Sequence, residues 1–208
     1  MKRCVIIGGS EILNYQKAKN FISSQDYIIC CDCGLRHLSP LGITPDLIIG
    51  DFDSHENPKL STETIVLPRE KDDTDTFYAA KEALKRGFED FLLIGVTGKR
   101  LDHTLGNISI LFYLFNRGKN AVIIDDYSQM EIVGTKEKTV TDNFPYFSLL
   151  AIDGDAEGVN IQNAKFPLTD GKISARYQYG ISNEVIKGRT AQITVKHGKL
   201  LLVKVEND

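Results

Sequence analysis

The chain has 208 residues, enough for one sizeable core or two modest ones, with 42% hydrophobic and 25% charged residues, the balance of an ordinary globule. Its formal net charge of −3, with no dense basic patch, argues against a nucleic-acid partner. The apolar run Val5-Ile6-Ile7 after Met1-Lys2-Arg3-Cys4 is too short for a signal peptide, and no segment approaches membrane-spanning length, so a cytoplasmic location is expected. In chain order, apolar runs of strand length alternate with helix-length segments up to about Asp126, the signature of βαβ units and a parallel sheet. Asn14 to Ser23 is expected to form a short helix. Asp75 to Arg86 is expected to form a longer one, with Phe77, Ala80 and Leu84 on its core face and Gly87 as its stop. A third should run from about His103 to Asn116, presenting Leu105, Ile108, Leu111, Phe112 and Phe115 to the core, with Gly118 past its end. From about Ser128 onward helical periodicity disappears, and short strand-like segments separated by Gly, Asn, Asp and Pro indicate an antiparallel sandwich. His197-Gly198 reads as a hairpin turn between the last two of them. The expected fold is therefore an N-terminal parallel-sheet α/β domain, residues 1–127, followed by a C-terminal antiparallel β-sandwich domain, residues 128–208.

Acidic residues recur where the apolar runs end. Tyr27 to Cys31 ends in Asp32, Leu47 to Ile49 leads through Gly50 to Asp51 and Asp53, and Ile65 to Leu67 is followed by Lys71, Asp72, Asp73 and Asp75. In an open parallel sheet these ends form one rim, where ligands bind. A cluster of anions is costly without a cation among them, so a hard metal with oxygen ligands is the natural resolution. The four cysteines, Cys4, Cys30, Cys31 and Cys33, have no paired Cys-x-x-Cys spacing and read as small buried apolar residues. His37, His55, His103 and His197 show no ligand spacing and are expected mostly at the surface or behind the site.

Three motifs carry the chemistry. Gly50-Asp51-Phe52-Asp53-Ser54 places two carboxylates two residues apart beyond a buried-type strand. Lys71-Asp72-Asp73-Thr74-Asp75 stands at a strand-to-helix junction, where carboxylates reach a metal while Lys71 and helix-end amides face phosphate oxygens. An acidic capping cluster is its bland alternative. Gly95-Val96-Thr97-Gly98-Lys99-Arg100-Leu101-Asp102-His103, with Asn107 one turn further on, combines glycines for close backbone approach with the planar fork of Arg100. Asp75 or Asp102 is a candidate proton acceptor, and Lys71 and Arg100 are candidates to offset charge on bridging oxygens.

Together and in this order the motifs resemble the thiamin pyrophosphokinase family in its bacterial form. The resemblance extends to Asp32 in Cys31-Asp32-Cys33-Gly34 and to Ser182-Asn183-Glu184, so it spans nearly the whole chain. It implies transfer of the pyrophosphoryl group of ATP to the hydroxyethyl group of thiamine, giving thiamine diphosphate and AMP. Carried over by position, Asp32, Asp51, Asp53 and Asp75 would surround Mg²⁺ and the phosphates. Asp72, Arg100, Asp102 and Asn107 would complete the nucleotide and alcohol surface, and Ser182 and Asn183 would help hold thiamine. The resemblance also implies nucleotide and Mg²⁺ binding on the first domain, thiamine binding and dimerisation on the second, and a homodimer. Two departures stand out: Cys33 occupies a position that is more often glycine, and the chain has no tryptophan to stack on thiamine. Competing readings are a phosphatase of the haloacid-dehalogenase type, whose Asp-x-Asp loop follows the first strand rather than a later one, and a non-catalytic nucleotide sensor suggested by Gly8-Gly9-Ser10.

Overall fold

The computed structural model describes residues 3–52, 61–177 and 179–206. The chain divides between Asp126 and Tyr127 into two compact units.

The first unit is built on strands β1 (Cys4–Ile7), β2 (Tyr27–Cys31), β3 (Leu47–Gly50), β4 (Glu63–Val66), β5 (Asp90–Ile94) and β6 (Asn120–Ile124), all parallel, in the order β4-β3-β2-β1-β5-β6. β1 and β3 are buried along their whole length. Helical layers cover both faces of such a sheet, which is why its strands appear in the sequence as continuous apolar runs rather than alternating ones. The register sets Val5 of β1 beside Ile28 of β2 and Leu92 of β5. β4, at the edge, has exposed end residues, Glu63 and Val66, and half-buried middle ones. Four helices, α1 (Tyr15–Asn20), α2 (Leu38–Leu41), α3 (Asp75–Lys85) and α4 (Leu101–Phe115), and a 3₁₀ turn over Asp32–His37 connect the strands. From β1 the sheet grows outward to β4, and then α3 carries the chain back to β5 on the other side of β1. Strand order therefore reverses between β1 and β5, and their carboxyl ends open a crevice.

Two helix faces differ from those expected. α3 buries Ala79, Ala80 and Ala83, whereas Phe77 is half-buried and packs edge-on against Tyr113 of α4 at 4.8 Å between ring centroids. Three small side chains let the helix lie close to the sheet, so its larger apolar residues are turned to its flanks. In α4 the buried set is Asn107, Ile108, Ile110, Leu111, Phe112 and Leu114, while Leu105 is 52% exposed and Phe115 is only half-buried. The start of α4 borders the crevice, and Leu101 there is exposed as well.

The second unit has strands β7 (Ser128–Val133), β8 (Lys138–Thr141), β9 (Tyr146–Leu150), β10 (Ala156–Gln162), β11 (Leu168–Ile173), β12 (Thr190–Thr194) and β13 (Leu200–Val205). β7-β13-β9 pair antiparallel in one layer and β11-β10-β12-β8 in the other. Val133, Phe147, Leu149, Leu200 and Leu202 of the first layer and Val140, Val159, Ile161 and Ile193 of the second share one core, giving the expected sandwich. β12 and β13 lie in different layers, so His197-Gly198 is a crossing between sheets and not a hairpin turn. Gly198 has φ +81°, and a Cβ there would lie 2.5 Å from the Asp155 carbonyl oxygen, while the Glu157 amide donates to His197 O at 2.9 Å. The alternation of apolar residues is the same for a hairpin and for a crossing, because either arrangement buries one side of each strand.

Candidate active site

Adjacent strand ends bring the acidic motifs together. Asp32 opens the 3₁₀ turn directly after β2, Asp51 follows β3, and Asp75 is the first residue of α3, behind the cap in which Thr74 Oγ1 accepts from the Phe77 amide. Gly50 makes the approach possible: a Cβ there would stand 2.8 Å from Cβ of Asp32. As a result Asp32, Asp51 and Asp75 each offer a carboxylate oxygen within 4.8 Å of the others. Phe52, next to Asp51, has φ 54°, a left-handed conformation that a bulky side chain adopts at a cost of about 1–2 kcal/mol. Asp53 and Ser54 lie outside the described residues.

The electrostatics of this cluster are unbalanced. Lys71 donates to Asp51 and lies 3.0 Å from Asp75 Oδ1, the latter contact being a charge pairing without aligned hydrogen-bond geometry. Among the described residues, one ammonium faces the three carboxylates. Asp32 is 5% exposed; one of its oxygens accepts a weak bond from Cys33 Sγ at 3.4 Å, and Oδ1 is buried without a hydrogen-bond partner. Burial raises the Asp75 pKa, Lys71 opposes the rise, and Asp51 and Asp32 reinforce it, so the carboxyl stands above its ordinary value. Lys71 shows the opposite balance: burial disfavours its charge, but Asp51 and Asp75 outweigh burial and raise its pKa. Oxygen donors only, surplus negative charge and an orphaned buried oxygen fit a hard divalent cation.

Asp32 and Asp75, but not Asp51, line a cleft of about 690 Å³ at the carboxyl ends of β1, β2 and β5, together with Gly9, Ser10, Gly95 and Arg100 among others. Cys33 also lines it. A Cβ on Gly9 would come within 2.5 Å of Cys33 Cβ, so the bare glycine backbone accommodates the thiol-bearing residue that departs from the family pattern. Asn107 is buried and its Nδ2 donates to Val96 O at 2.7 Å, pinning α4 to the loop after β5. Cys4, Cys30 and Cys31 are buried, and burial pushes the Cys30 thiol up to about 12.

Arg100 lines the rim but is 69% exposed and grips Asp102, itself 63% exposed, with two hydrogen bonds of 2.9 and 2.6 Å. That fork holds the Asp102 carboxyl well below the usual range. Asp102 is absent from the cleft lining, and Asp72 is exposed. In the second unit, Ser182 has φ 55° and its amide donates to Ser148 Oγ at 3.0 Å. Asn183 is buried; its Oδ1 accepts from the amides of Phe166 and Glu184, and its Nδ2 donates to Phe166 O at 2.8 Å. The Asn183 side chain therefore builds the segment around Ser182.

His37, one of the histidines expected at the surface or behind the site, lies behind it. It is buried, with Nε2 2.8 Å from Ser10 O and Nδ1 2.8 Å from the Tyr15 hydroxyl, and burial pushes its pKa down. Beside it Arg36 donates to Gly9 O. Both residues brace the loop after β1 that floors the cleft, and their sole sequence signal is their place in the turn that begins at Asp32.

Comparison with known proteins follows the same division. Residues 18–123 match the family model described as thiamin pyrophosphokinase, catalytic domain, and residues 131–200 match thiamin pyrophosphokinase, vitamin B1 binding domain. Thiamine pyrophosphokinase of Bacillus subtilis is 28% identical over 181 residues, 83% of this chain and 84% of that protein. The crystal structure of the Bacillus subtilis enzyme superposes with TM-score 0.89 at 24% identity, covering both chains in full. That of thiamin pyrophosphokinase from Geobacillus thermodenitrificans gives 0.85 at 25%, covering 100% of this chain and 99% of the other. Thiamin pyrophosphokinase from Candida albicans shares the fold at 15% identity, TM-score 0.76, covering 99% of this chain and 89% of that one. With both family models matched in order along the chain, the protein belongs to the thiamin pyrophosphokinase family.

Proposed function

We infer that the protein is a thiamine pyrophosphokinase, moving the pyrophosphoryl group of ATP to the hydroxyethyl oxygen of thiamine and releasing AMP. The observation that carries this reading is the carboxylate cluster of Asp32, Asp51 and Asp75 at the switch-point cleft, within the span matched by the catalytic-domain model. We assign Mg²⁺ to Asp32, Asp51 and Asp75, with Asp53 as a further ligand. Bound there, Mg²⁺ would offset the charge of the triphosphate and make its β-phosphorus more open to attack. The chain's own residues do the rest by position and charge. Asp75, which lines the cleft, takes the proton of the thiamine hydroxyl in preference to Asp102, which lies outside the lining and is gripped by Arg100. Arg100 and Lys71 offset charge on the bridging and leaving oxygens, Asp72 borders the nucleotide, and Asn107 fixes the Val96 loop.

Thiamine binding is assigned to the second unit, around Ser182 and Asn183, within the span of the vitamin B1 binding model. A homodimer formed through this unit is supported by its exposed Ile152, Tyr177, Tyr179 and Ile181. A cytoplasmic setting agrees with four free cysteines, and no helix among the described residues is long and apolar enough to cross a membrane. Incubation of the purified protein with ATP, Mg²⁺ and thiamine tests the reading. Thiamine diphosphate and AMP in equal amounts are expected. Free phosphate without thiamine diphosphate would indicate an aspartate-dependent phosphatase, and nucleotide binding without turnover a sensor.

A further inference from the structure

The carboxylate cluster already contains a positive charge of the chain's own. Lys71 lies in the irregular stretch between β4 and α3, four residues before Asp75, and only 16% of its side chain is exposed. Its ammonium sits against Asp51 Oδ2 and Asp75 Oδ1, two of the carboxylates assigned above to the metal. A divalent cation on these carboxylates would meet Lys71 at a few ångströms, where like charges in a partly dry site repel strongly. Asp32 Oδ1, buried without a hydrogen bond, shows that Lys71 does not satisfy the whole cluster. A lysine, with a flexible four-carbon stem and a compact charge, can leave such a position without disturbing the backbone.

We propose that Lys71 is an internal counter-ion that stands in the metal's place while the site is free and moves to the phosphates of the nucleotide when metal and nucleotide load together. The proposal rests on the metal assignment made above. It makes metal binding and Lys71 release one equilibrium: Mg²⁺ alone must displace an ammonium that has nowhere favourable to go, whereas Mg²⁺ with ATP supplies the displaced ammonium with a new anionic partner. Metal and nucleotide then strengthen each other's binding, and by linkage the coupling is reciprocal.

Isothermal titration of the nucleotide-free protein with MgCl₂, and of the Mg²⁺-saturated protein with α,β-methylene-ATP, separates this role from a structural one. Lys71→Gln should bind Mg²⁺ roughly tenfold more tightly than wild type, yet bind the nucleotide analogue roughly tenfold more weakly. A residue that merely holds the loop would, once removed, weaken both. On the wild-type protein, acetylation of lysines followed by mass spectrometry gives a second readout that needs no variant. Lys71 should be protected in the free protein, become reactive with Mg²⁺ alone, and be protected again with Mg²⁺ and analogue. Equal or weaker Mg²⁺ binding by Lys71→Gln, or Lys71 reactivity unchanged by Mg²⁺, would overturn the counter-ion role while leaving the metal site in place. Failure of both proteins to bind Mg²⁺ with or without the analogue would overturn the metal assignment and the counter-ion role with it.

Discussion

Each unit withdraws a group of charges from water, and the two groups are balanced in opposite senses. In the second unit, Glu131 is buried, Lys204 donates to its Oε1 at 2.8 Å and Lys138 donates to its Oε2, so one carboxylate meets two ammoniums. In the first unit, Lys71 pairs with Asp51 and Asp75, while Asp32 Oδ1 beside them is buried without a hydrogen bond. The Glu131 group is complete within the chain and has nothing left to bind. In the Asp32, Asp51 and Asp75 group, the proposed metal would supply the charge that Lys71 leaves unmatched. Buried charge that is internally paired is architecture, and buried charge left short of partners at a cleft marks a place where a ligand acts.

Breaking the first group should cost chemistry rather than folding. Asp32→Asn keeps the shape of the side chain and removes one of the surplus charges, so turnover should fall at least about a hundredfold, because charge neutralisation is a principal part of phosphoryl-transfer catalysis. Its melting temperature in the absence of Mg²⁺ and nucleotide should equal or exceed that of wild type. Near-normal turnover, measured as AMP release at saturating ATP and thiamine, would place the Asp32 carboxylate among structural charges and dissolve the contrast.

The same change in the second group should do the reverse. Burial alone would raise the Glu131 pKa, but Lys204 and Lys138 outweigh burial and leave it below the ordinary 4.5. A depressed carboxyl pKa contributes stability above the unfolded value, and that stability is lost as pH falls through the folded one. Glu131→Gln should therefore lower unfolding free energy by about 2 kcal/mol at pH 7, since two ammoniums lose their shared partner, and the deficit should shrink below about pH 4.5. Specific activity of the folded fraction should be unchanged. Urea titrations at several pH values would measure the first effect, and a deficit independent of pH would refute the charge argument.

The parallel sheet was legible because strands covered on both faces leave unbroken apolar runs such as Leu47-Ile48-Ile49, several of which ended where an acidic motif began. Helix faces were less legible. Periodicity favoured Phe77 and Leu84 on α3, but the tight approach of the helix to the sheet selected Ala79, Ala80 and Ala83, a distance that one sequence does not display. Leu105 had the right spacing for the core yet is exposed near the start of α4. In the site, strand ends pointed to a rim of carboxylates, and the family resemblance singled out Asp32, Asp51, Asp53 and Asp75 among them, of which the described residues bring Asp32, Asp51 and Asp75 together. Their pairing was not legible: the seat of Lys71 between Asp51 and Asp75 and the burial of His37 against Ser10 and Tyr15 depend on segments meeting in space, and the grip of Arg100 on Asp102 depends on side-chain orientation at the start of α4. Residue type and order mark where chemistry can occur, and only the packing tells which charges neutralise one another.

The smallest expected effect gives the sharpest comparison, because it has a sign that intuition would reverse. Removing a charged group that makes an ion pair is ordinarily destabilising. Asp75 pairs with Lys71, yet its pKa is raised from 3.8, with burial as the main cause and the charges of Asp51 and Asp32 adding to it. The native protein therefore holds a proton on Asp75 more readily than the unfolded chain does. Stability falls as pH rises from 3.8 through the folded value, and above that value the whole penalty is present. Asp75→Asn removes it while Lys71 keeps Asp51 as a partner. The variant should be more stable than wild type by about 1 kcal/mol at pH 7, seen as a melting temperature higher by a few degrees, and the gain should vanish below about pH 4. Turnover should be lost at the same time, since the proposed proton acceptor is gone. A variant less stable than wild type at pH 7 would mean that Lys71 has already balanced the cluster, and the two groups of buried charge would then be alike.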